Sequence, residues 1–206
     1  MSTDPKFWDD VSSKYSSKPI PSEERYQRKL DISRKYLTRD SQVLEFGCGT
    51  GTTALKHAND VKHLTAYDFS PAMIAIANEK KALQPNSDNV EFKISAIEAI
   101  DFGTEDYDAI MGHSILHLTF DNENTLKKIF QGLKSGGVFI SGSGCLKDMN
   151  SLLRIVIPIM QFFGKAPEIN YFSAEELVDL HKSVGFEIVE RWDYKKGEIY
   201  LVAMKP

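Results

Sequence analysis

The stretch Val43-Leu44-Glu45-Phe46-Gly47-Cys48-Gly49-Thr50-Gly51 constrains this chain more than any other. Apolar residues around one acid end in three glycines at alternate positions, and a helix-like run begins at Thr52. The pattern predicts a short buried strand, a tight turn and a helix. Glycines reach backbone angles closed to other residues and let a ligand come close to the main chain. The helix start beyond them offers unpaired N–H groups to whatever occupies the turn. A turn of this kind at the carboxyl end of a strand is a nucleotide-type ligand site. A purely structural glycine turn is the bland alternative.

Gly49-x-Gly51-x-x-Ala54 fits the dinucleotide fingerprint, which alone is a weak signal. A dinucleotide would place its pyrophosphate at the helix start, where Glu45 would repel it. The longer string Val-Leu-Glu-Phe-Gly-x-Gly-x-Gly resembles the first motif of class I S-adenosylmethionine-dependent methyltransferases. That donor has no phosphate. It carries an ammonium, a carboxylate and a sulfonium, so an acid beside the turn suits it. The resemblance implies S-adenosylmethionine as cofactor, held at Glu45, Gly47, Cys48, Gly49 and Gly51.

The rest of the chain extends the pattern. Ser22 is a helix cap with Glu23 and Glu24 in the first turn. His63 to Tyr67 read as a second strand ending at Asp68, at the spacing of a carboxylate that accepts ribose hydroxyls. Ser70 and Pro71 open the next helix. Val90 to Ile94, Tyr107 to Met111 and Val138 to Ser141 are the third, fourth and fifth strands, with a helix capped by Asp121 before the fifth. Ser173-Ala174-Glu175-Glu176 is a capping box for the last helix, and two strands, Phe186 to Trp192 and Glu198 to Met204, close the chain.

The family resemblance adds roles to these positions. It implies that Phe69, Met73 and Ile97 line the adenine slot, with helix-to-sheet packing the alternative for Met73. Ser95 stands where relatives carry an acid, so the backbone N–H of Ala96 is the expected adenine donor. Gly112 and His113 follow the fourth strand and are expected at the methionine end of the donor. An aromatic amino-terminal segment, residues 1–40, folds over the donor site in such proteins, which makes Tyr15 and Tyr26 candidates. The bases to consider are His113, His117 and Tyr15, with His117 read chiefly as structural. Leu133-Lys134-Ser135-Gly136-Gly137 resembles the family's turn before the fifth strand, and the closing hairpin suits its antiparallel last strand.

Met149 to Phe163 are strongly apolar, interrupted by Arg154, Pro158 and Gln161. The run is shorter than the roughly 20 residues of a membrane span, and Pro158 should kink or split it. It reads as a lid inserted at residues 146–172 on the substrate side, with plain core or a contact surface as alternatives. The fold expected is therefore α/β, a single Rossmann-like doubly wound domain over residues 1–206. Its seven-stranded sheet is mostly parallel, with an antiparallel terminal strand and an apolar helical lid.

Composition narrows the function. A length of 206 residues suits one domain with a full core. A net charge of −4, with no basic stripe among aromatics, disfavours nucleic acid and anionic membranes. Two cysteines, Cys48 and Cys145, are too few for a disulfide scaffold or a metal cluster. The amino terminus lacks signal-peptide regions, which points to the cytoplasm. The family's Asn/Asp-Pro-Pro-aromatic motif for amine methylation is absent after the fourth strand, and no proline precedes Cys145 as a cytosine-attacking thiol requires. A small molecule, partly apolar if the lid is real, is the expected methyl acceptor. A non-catalytic donor-binding protein and a nicotinamide-dependent oxidoreductase are the competing readings, and oligomeric state is not encoded.

Overall fold

The computed structural model describes residues 5–149, 153–162 and 166–206. Two helices, α1 (Lys6–Ser17) and α2 (Glu23–Arg34), precede the first strand, β1 (Gln42–Phe46). Then come α3 (Thr52–Lys56), β2 (His63–Asp68), α4 (Pro71–Leu83), β3 (Val90–Ile94), β4 (Tyr107–His113), α5 (Asn122–Gly132) and β5 (Leu133–Gly144). The chain closes with α6 (Leu153–Phe162), α7 (Ala174–Val184), β6 (Glu187–Lys195) and β7 (Glu198–Met204). One sheet holds all seven strands in the order β3-β2-β1-β4-β5-β7-β6. β1 to β5 pair in parallel, and β7 inserts antiparallel between β5 and β6.

Local chemistry sets the helix starts as the sequence predicts. Ser22, Ser70 and Asp121 each accept a hydrogen bond from the third backbone N–H beyond them. Ser173 and Glu176 form both halves of a capping box, and Gly185 ends α7 in the left-handed conformation. Two elements differ from the expectation. α3 has only five residues, too short a helix to act as an anion site. The predicted turn from Leu133 to Gly137 lies inside β5, which slips register between Tyr107 and Ala109 of its partner and turns at Gly136 with φ +77°. The strand therefore starts one residue after α5 instead of at Val138.

Alternation along the strands divides the core into two layers. Leu44 and Phe46 point toward the layer that includes Leu126, Ile129 and Leu177 of α5 and α7. Val43 points to the other face, packed with Ile32 of α2 and Leu55 of α3. Ala109 and Met111 of β4 and Val202 of β7 belong to that second layer too. A period of two carries this face forward to Glu45, His113 and Tyr200. These three polar side chains lie where the core layer runs out at the carboxyl ends of the parallel strands.

α6 runs unbroken through Pro158, so the kink or split expected there does not interrupt it. Pro158 is solvent-exposed, where the lost backbone hydrogen bond is cheapest because water can replace it. Val156, Ile159, Met160 and Phe162 are exposed as well, Phe162 at 85%. That exposure is incompatible with a plain core helix. Phe163, counted with this run in the sequence, lies outside the described residues. Among the described residues no helix is long and apolar enough to cross a membrane.

Candidate active site

A cavity of about 580 Å³ opens at the carboxyl ends of β1 and β4. Its floor is the glycine turn, with Glu45, Gly47, Cys48, Gly49 and Thr50. His113 and Ser114 form one wall, Tyr194 and Tyr200 of the closing hairpin another. The segment from Tyr15 to Ser22 and the inner side of α2 cover it.

The turn is built to approach a ligand. Gly51 has φ +72°, and a Cβ there would meet Phe92 Cζ at 2.5 Å and Ala77 Cβ at 2.8 Å. Backbone sign and packing both exclude a side chain at Gly51. Gly49 differs, since a Cβ there would meet only the Tyr15 ring, at 3.8 Å. The backbone at Gly49 thus faces open space under the aromatic segment. Lys80 of α4 braces the turn, donating to the hydroxyls of Thr50 at 2.7 Å and Thr52 at 3.0 Å.

Glu45 is 2% exposed, and its Oε2 has no hydrogen-bond partner. Burial, then the nearby Asp68 carboxylate, pushes its pKa from the ordinary 4.5 up to about 8. An acid buried at this cost and left unpaired is suited to a cationic ligand group. Asp68 is also buried and also titrates above its usual range, chiefly through desolvation. Its Oδ2 accepts the Gly49 N–H at 2.8 Å and its Oδ1 the Ser70 N–H at 2.9 Å. Each oxygen keeps a lone pair for a further donor such as a hydroxyl.

His113 and Tyr200 come together through strand register. His113 pairs with Gly142 of β5, and Gly142 with Tyr200 of β7. Because Gly142 has no side chain, the two rings stack across it, 5.7 Å apart and within 5° of parallel. A Cβ on Gly142 would sit 3.3 Å from the Tyr200 ring. Tyr200 is held by the Ser33 hydroxyl at 2.8 Å and donates to the Lys29 carbonyl at 3.3 Å.

The expected bases need correction. Burial, then the Lys29 charge, drives the His113 pKa down to about 3, so His113 is neutral and too weakly basic to take a proton near neutrality. Its Nε2 is buried without a partner, which leaves it a hydrogen-bonding group in the cavity wall. Tyr15 is 51% exposed and titrates above the ordinary phenol, through desolvation first and Asp68 second. A phenol shifted upward keeps its proton at neutral pH. His117 lies in a short 3-10 turn, Leu116–Leu118, its pKa lowered by burial, and its carbonyl accepts from Asn170 at 2.7 Å.

None of the expected adenine-side residues lines the cavity, nor do Asp68 and Gly51; Asp68 ends β2, Phe69 follows it, and Ser95 to Ile97 follow β3. Phe69, Ser95 and Ala96 are partly exposed, and Ile97 is buried, 9% exposed. The Ser95 hydroxyl donates to the Ala96 carbonyl at 3.1 Å. Met73 is 2% exposed beside Ile74 and Ala77 on the inner side of α4, in helix-to-sheet packing that presents no surface to a ligand. Gly112 is buried within β4, where a Cβ would meet Phe46 at 2.5 Å. Cys48 lines the cavity with a thiol pushed well above its usual pKa by burial, so it is no nucleophile.

Several residues that shape the site have no signature in the sequence. Asp9 of α1 reaches across to the start of α4 and accepts from the Ser70 hydroxyl and from the Ala72 N–H at 3.1 Å. This contact seats α1 over the site. Ser114 has φ +56°, a strained left-handed residue at the end of β4 that lines the cavity. Arg25, Lys29, Tyr194 and Tyr200 come from α2 and the closing hairpin, and only the fold brings them together. Tyr26, a candidate from the sequence, also lines the cavity, its hydroxyl 3.4 Å from that of Thr53.

The sheet order with its antiparallel β7, the glycine turn at the end of β1 and the buried unpaired acid define a nucleoside-type donor site on a Rossmann-like sheet. The methyltransferase-domain family matches residues 37–176, and the chain belongs to it as a class I S-adenosylmethionine-dependent methyltransferase. A malonyl-acyl-carrier-protein O-methyltransferase of Bacillus anthracis is 31% identical over 112 residues, 53% of this chain and 40% of the relative. A demethylmenaquinone methyltransferase of Leptospira interrogans is 28% identical over 190 residues, covering 80% of this chain and 75% of the other. The solved structure of the cyclase SpnF superposes with a TM-score of 0.76 at 17% identity, over 98% of this chain and 94% of that one. The chain thus spans about two fifths of the length of the malonyl-type relative. The family's cofactor is S-adenosylmethionine.

Proposed function

We propose that this protein transfers a methyl group from S-adenosylmethionine to a small, partly apolar molecule. The buried, unpaired Glu45 beside the glycine turn carries the reading, because a cationic donor relieves the cost that an anionic phosphate would increase. In this reading Glu45 faces the donor's ammonium, the turn through Gly47, Cys48, Gly49 and Gly51 approaches its methionine part, and Asp68 takes the ribose. Phe69, Ser95, Ala96 and Ile97 flank the adenine. When bound, the donor supplies a methyl carbon already activated by the sulfonium, so the protein has chiefly to align the acceptor and exclude water. Tyr15, Tyr26 and α2 keep water out, while His113, Ser114 and Tyr200 shape the acceptor wall. With His113 and Tyr15 unsuited to removing protons, the reaction depends on alignment and not on general-base catalysis.

Asp68→Ala should weaken donor binding by roughly 1.5–3 kcal/mol, the range for hydrogen bonds to a charged group. Calorimetric titration of the folded variant checks this, and unchanged affinity would remove Asp68 from the site.

The exposed apolar face of α6 is read as the acceptor-side lid, although among the described residues none of α6 lines the cavity. Phe162→Ala should then change unfolding free energy by less than about 0.5 kcal/mol while slowing turnover. A loss of about 3–5 kcal/mol in urea unfolding would mark Phe162 as a packed core residue instead.

The reaction itself is tested with donor labelled in its methyl group, incubated with the protein and a small-molecule cell extract. Label should move into extractable small molecules. Donor that is bound tightly but never consumed would establish a non-catalytic binding protein.

A further inference from the structure

The cavity has two electrical poles. At the turn lies the buried acid Glu45, which holds its proton until a cationic group displaces it. On the opposite side α2, the hairpin and residues 15–21 bring Lys18, Arg25, Lys29 and Lys195 to the wall. Lys195 is neutralised by Glu198 at 2.8 Å. Lys18, Arg25 and Lys29 have no carboxylate within 4.0 Å among the described residues. Lys29 and Arg25 are half-buried, and Lys18 is exposed. Lys29 is tied to the hairpin. Its ammonium donates to the Tyr194 hydroxyl at 3.0 Å and lies 4.2 Å from the centre of that ring. It also lies near enough to His113 to act on that imidazole's charge, which places it at the acceptor wall. Burial, helped by the neighbouring Arg25 charge and opposed by Glu198, pulls its own pKa below the usual lysine value.

A bound donor would not cancel this pole. Its ammonium belongs with Glu45, its one carboxylate satisfies one of the three cations, and its sulfonium adds positive charge. Positive charge would remain in excess on this side, where Glu198 faces both Lys195 and Lys29, and such charge attracts an anion. Resting on the methyl-transfer reading above, we propose that the acceptor carries an anionic group, a carboxylate or a phosphate, and that Lys29 with Arg25 anchors it beside His113 and Tyr200. The planar faces of Tyr194 and Tyr200 leave room for an apolar or aromatic body behind that anion. Arg25 supplies the forked donor geometry that carboxylates and phosphates take, and Lys29 a point charge. A carboxylate also arrives without a proton to remove, which suits a wall whose histidine and tyrosines hold their protonation states through neutrality.

The test is titration of benzoate, phenyl phosphate and neutral benzamide into the protein saturated with S-adenosylhomocysteine. At least one of the two anions should bind tenfold or more tightly than benzamide, and which one does so identifies the anionic group. Lys29→Gln should reduce the preference to below twofold and Arg25→Gln should reduce it in part. Arg28→Gln, whose guanidinium sits outside the cavity over Trp192, should leave it unchanged. Retained S-adenosylhomocysteine affinity shows that a variant is folded, with Lys29→Met as the alternative if the glutamine variant fails to fold. Equal binding of all three probes in the wild-type complex would overturn the proposal. So would a Lys29 variant that keeps both its S-adenosylhomocysteine affinity and the anion preference. If S-adenosylhomocysteine does not bind at all, the methyl-transfer reading falls first and this proposal with it.

Discussion

Glu45→Gln is expected to weaken binding of S-adenosylmethionine by about 2–5 kcal/mol, the cost of truncating one partner of a buried charge pair. It should also abolish the pH dependence of donor affinity. In the free protein Glu45 titrates at about 8 instead of 4.5. Between those values its carboxyl is protonated in the folded chain, and a cationic donor must displace that proton to gain its counter-ion. Donor affinity should therefore rise with pH, by up to roughly tenfold per unit, and level off above about 8. Stability of the free protein runs the other way. The folded state holds a proton that the unfolded state has released, so this contribution is fully present below 4.5 and is lost as pH rises through about 8. At roughly 1.4 kcal/mol per unit, the loss is at most about 5 kcal/mol. The glutamine variant has no such proton. Calorimetry from pH 6 to 9 and urea unfolding over the same range read both effects, and a wild-type affinity flat across that range would contradict the role of Glu45.

Gly51→Ala is expected to cost about 2–5 kcal/mol of folding stability. The added Cβ would stand 2.5 Å from Phe92 Cζ and 2.8 Å from Ala77 Cβ. Overpacking of this kind costs about 1–3 kcal/mol, and a left-handed alanine about 1–2 kcal/mol more. Phe92 must move to admit the methyl group, which shifts β3 against α4 and with them the edge of the donor site. The midpoint of urea unfolding should fall with little change in slope. A variant within 0.5 kcal/mol of wild type would show that the turn tolerates a side chain and is not held as described.

What the sequence made legible follows from how locally each feature is encoded. The glycine turn, the strand before it and the position of Asp68 at the end of β2 are written in consecutive or regularly spaced residues, so these elements could be read directly. Helix caps at Ser22, Ser70, Asp121 and Ser173 are local chemistry and were legible for the same reason. The acceptor side depends on topology. Tyr200 reaches His113 only because β7 inserts beside β5 and Gly142 lies between them in register. Arg25 and Lys29 look in sequence like any solvated face of an amphipathic helix. Asp9 caps a helix 61 residues away, for which no spacing rule exists. The lowered basicity of His113 is not legible because burial, which sets its pKa, is not visible in a string of residues. The apolar run around α6 was visible, but a pattern does not say whether such a face meets core, substrate or solvent.

The buried acid beside the glycine turn is expected to select a sulfonium donor over a dinucleotide. Side-by-side calorimetric titration of S-adenosylmethionine and NAD into the wild-type protein tests it most directly. The buried acid at the turn predicts micromolar binding of the methyl donor, on the order of −8 kcal/mol, with no measurable binding of NAD. NAD binding as tight as that of the donor, or tighter, would contradict it.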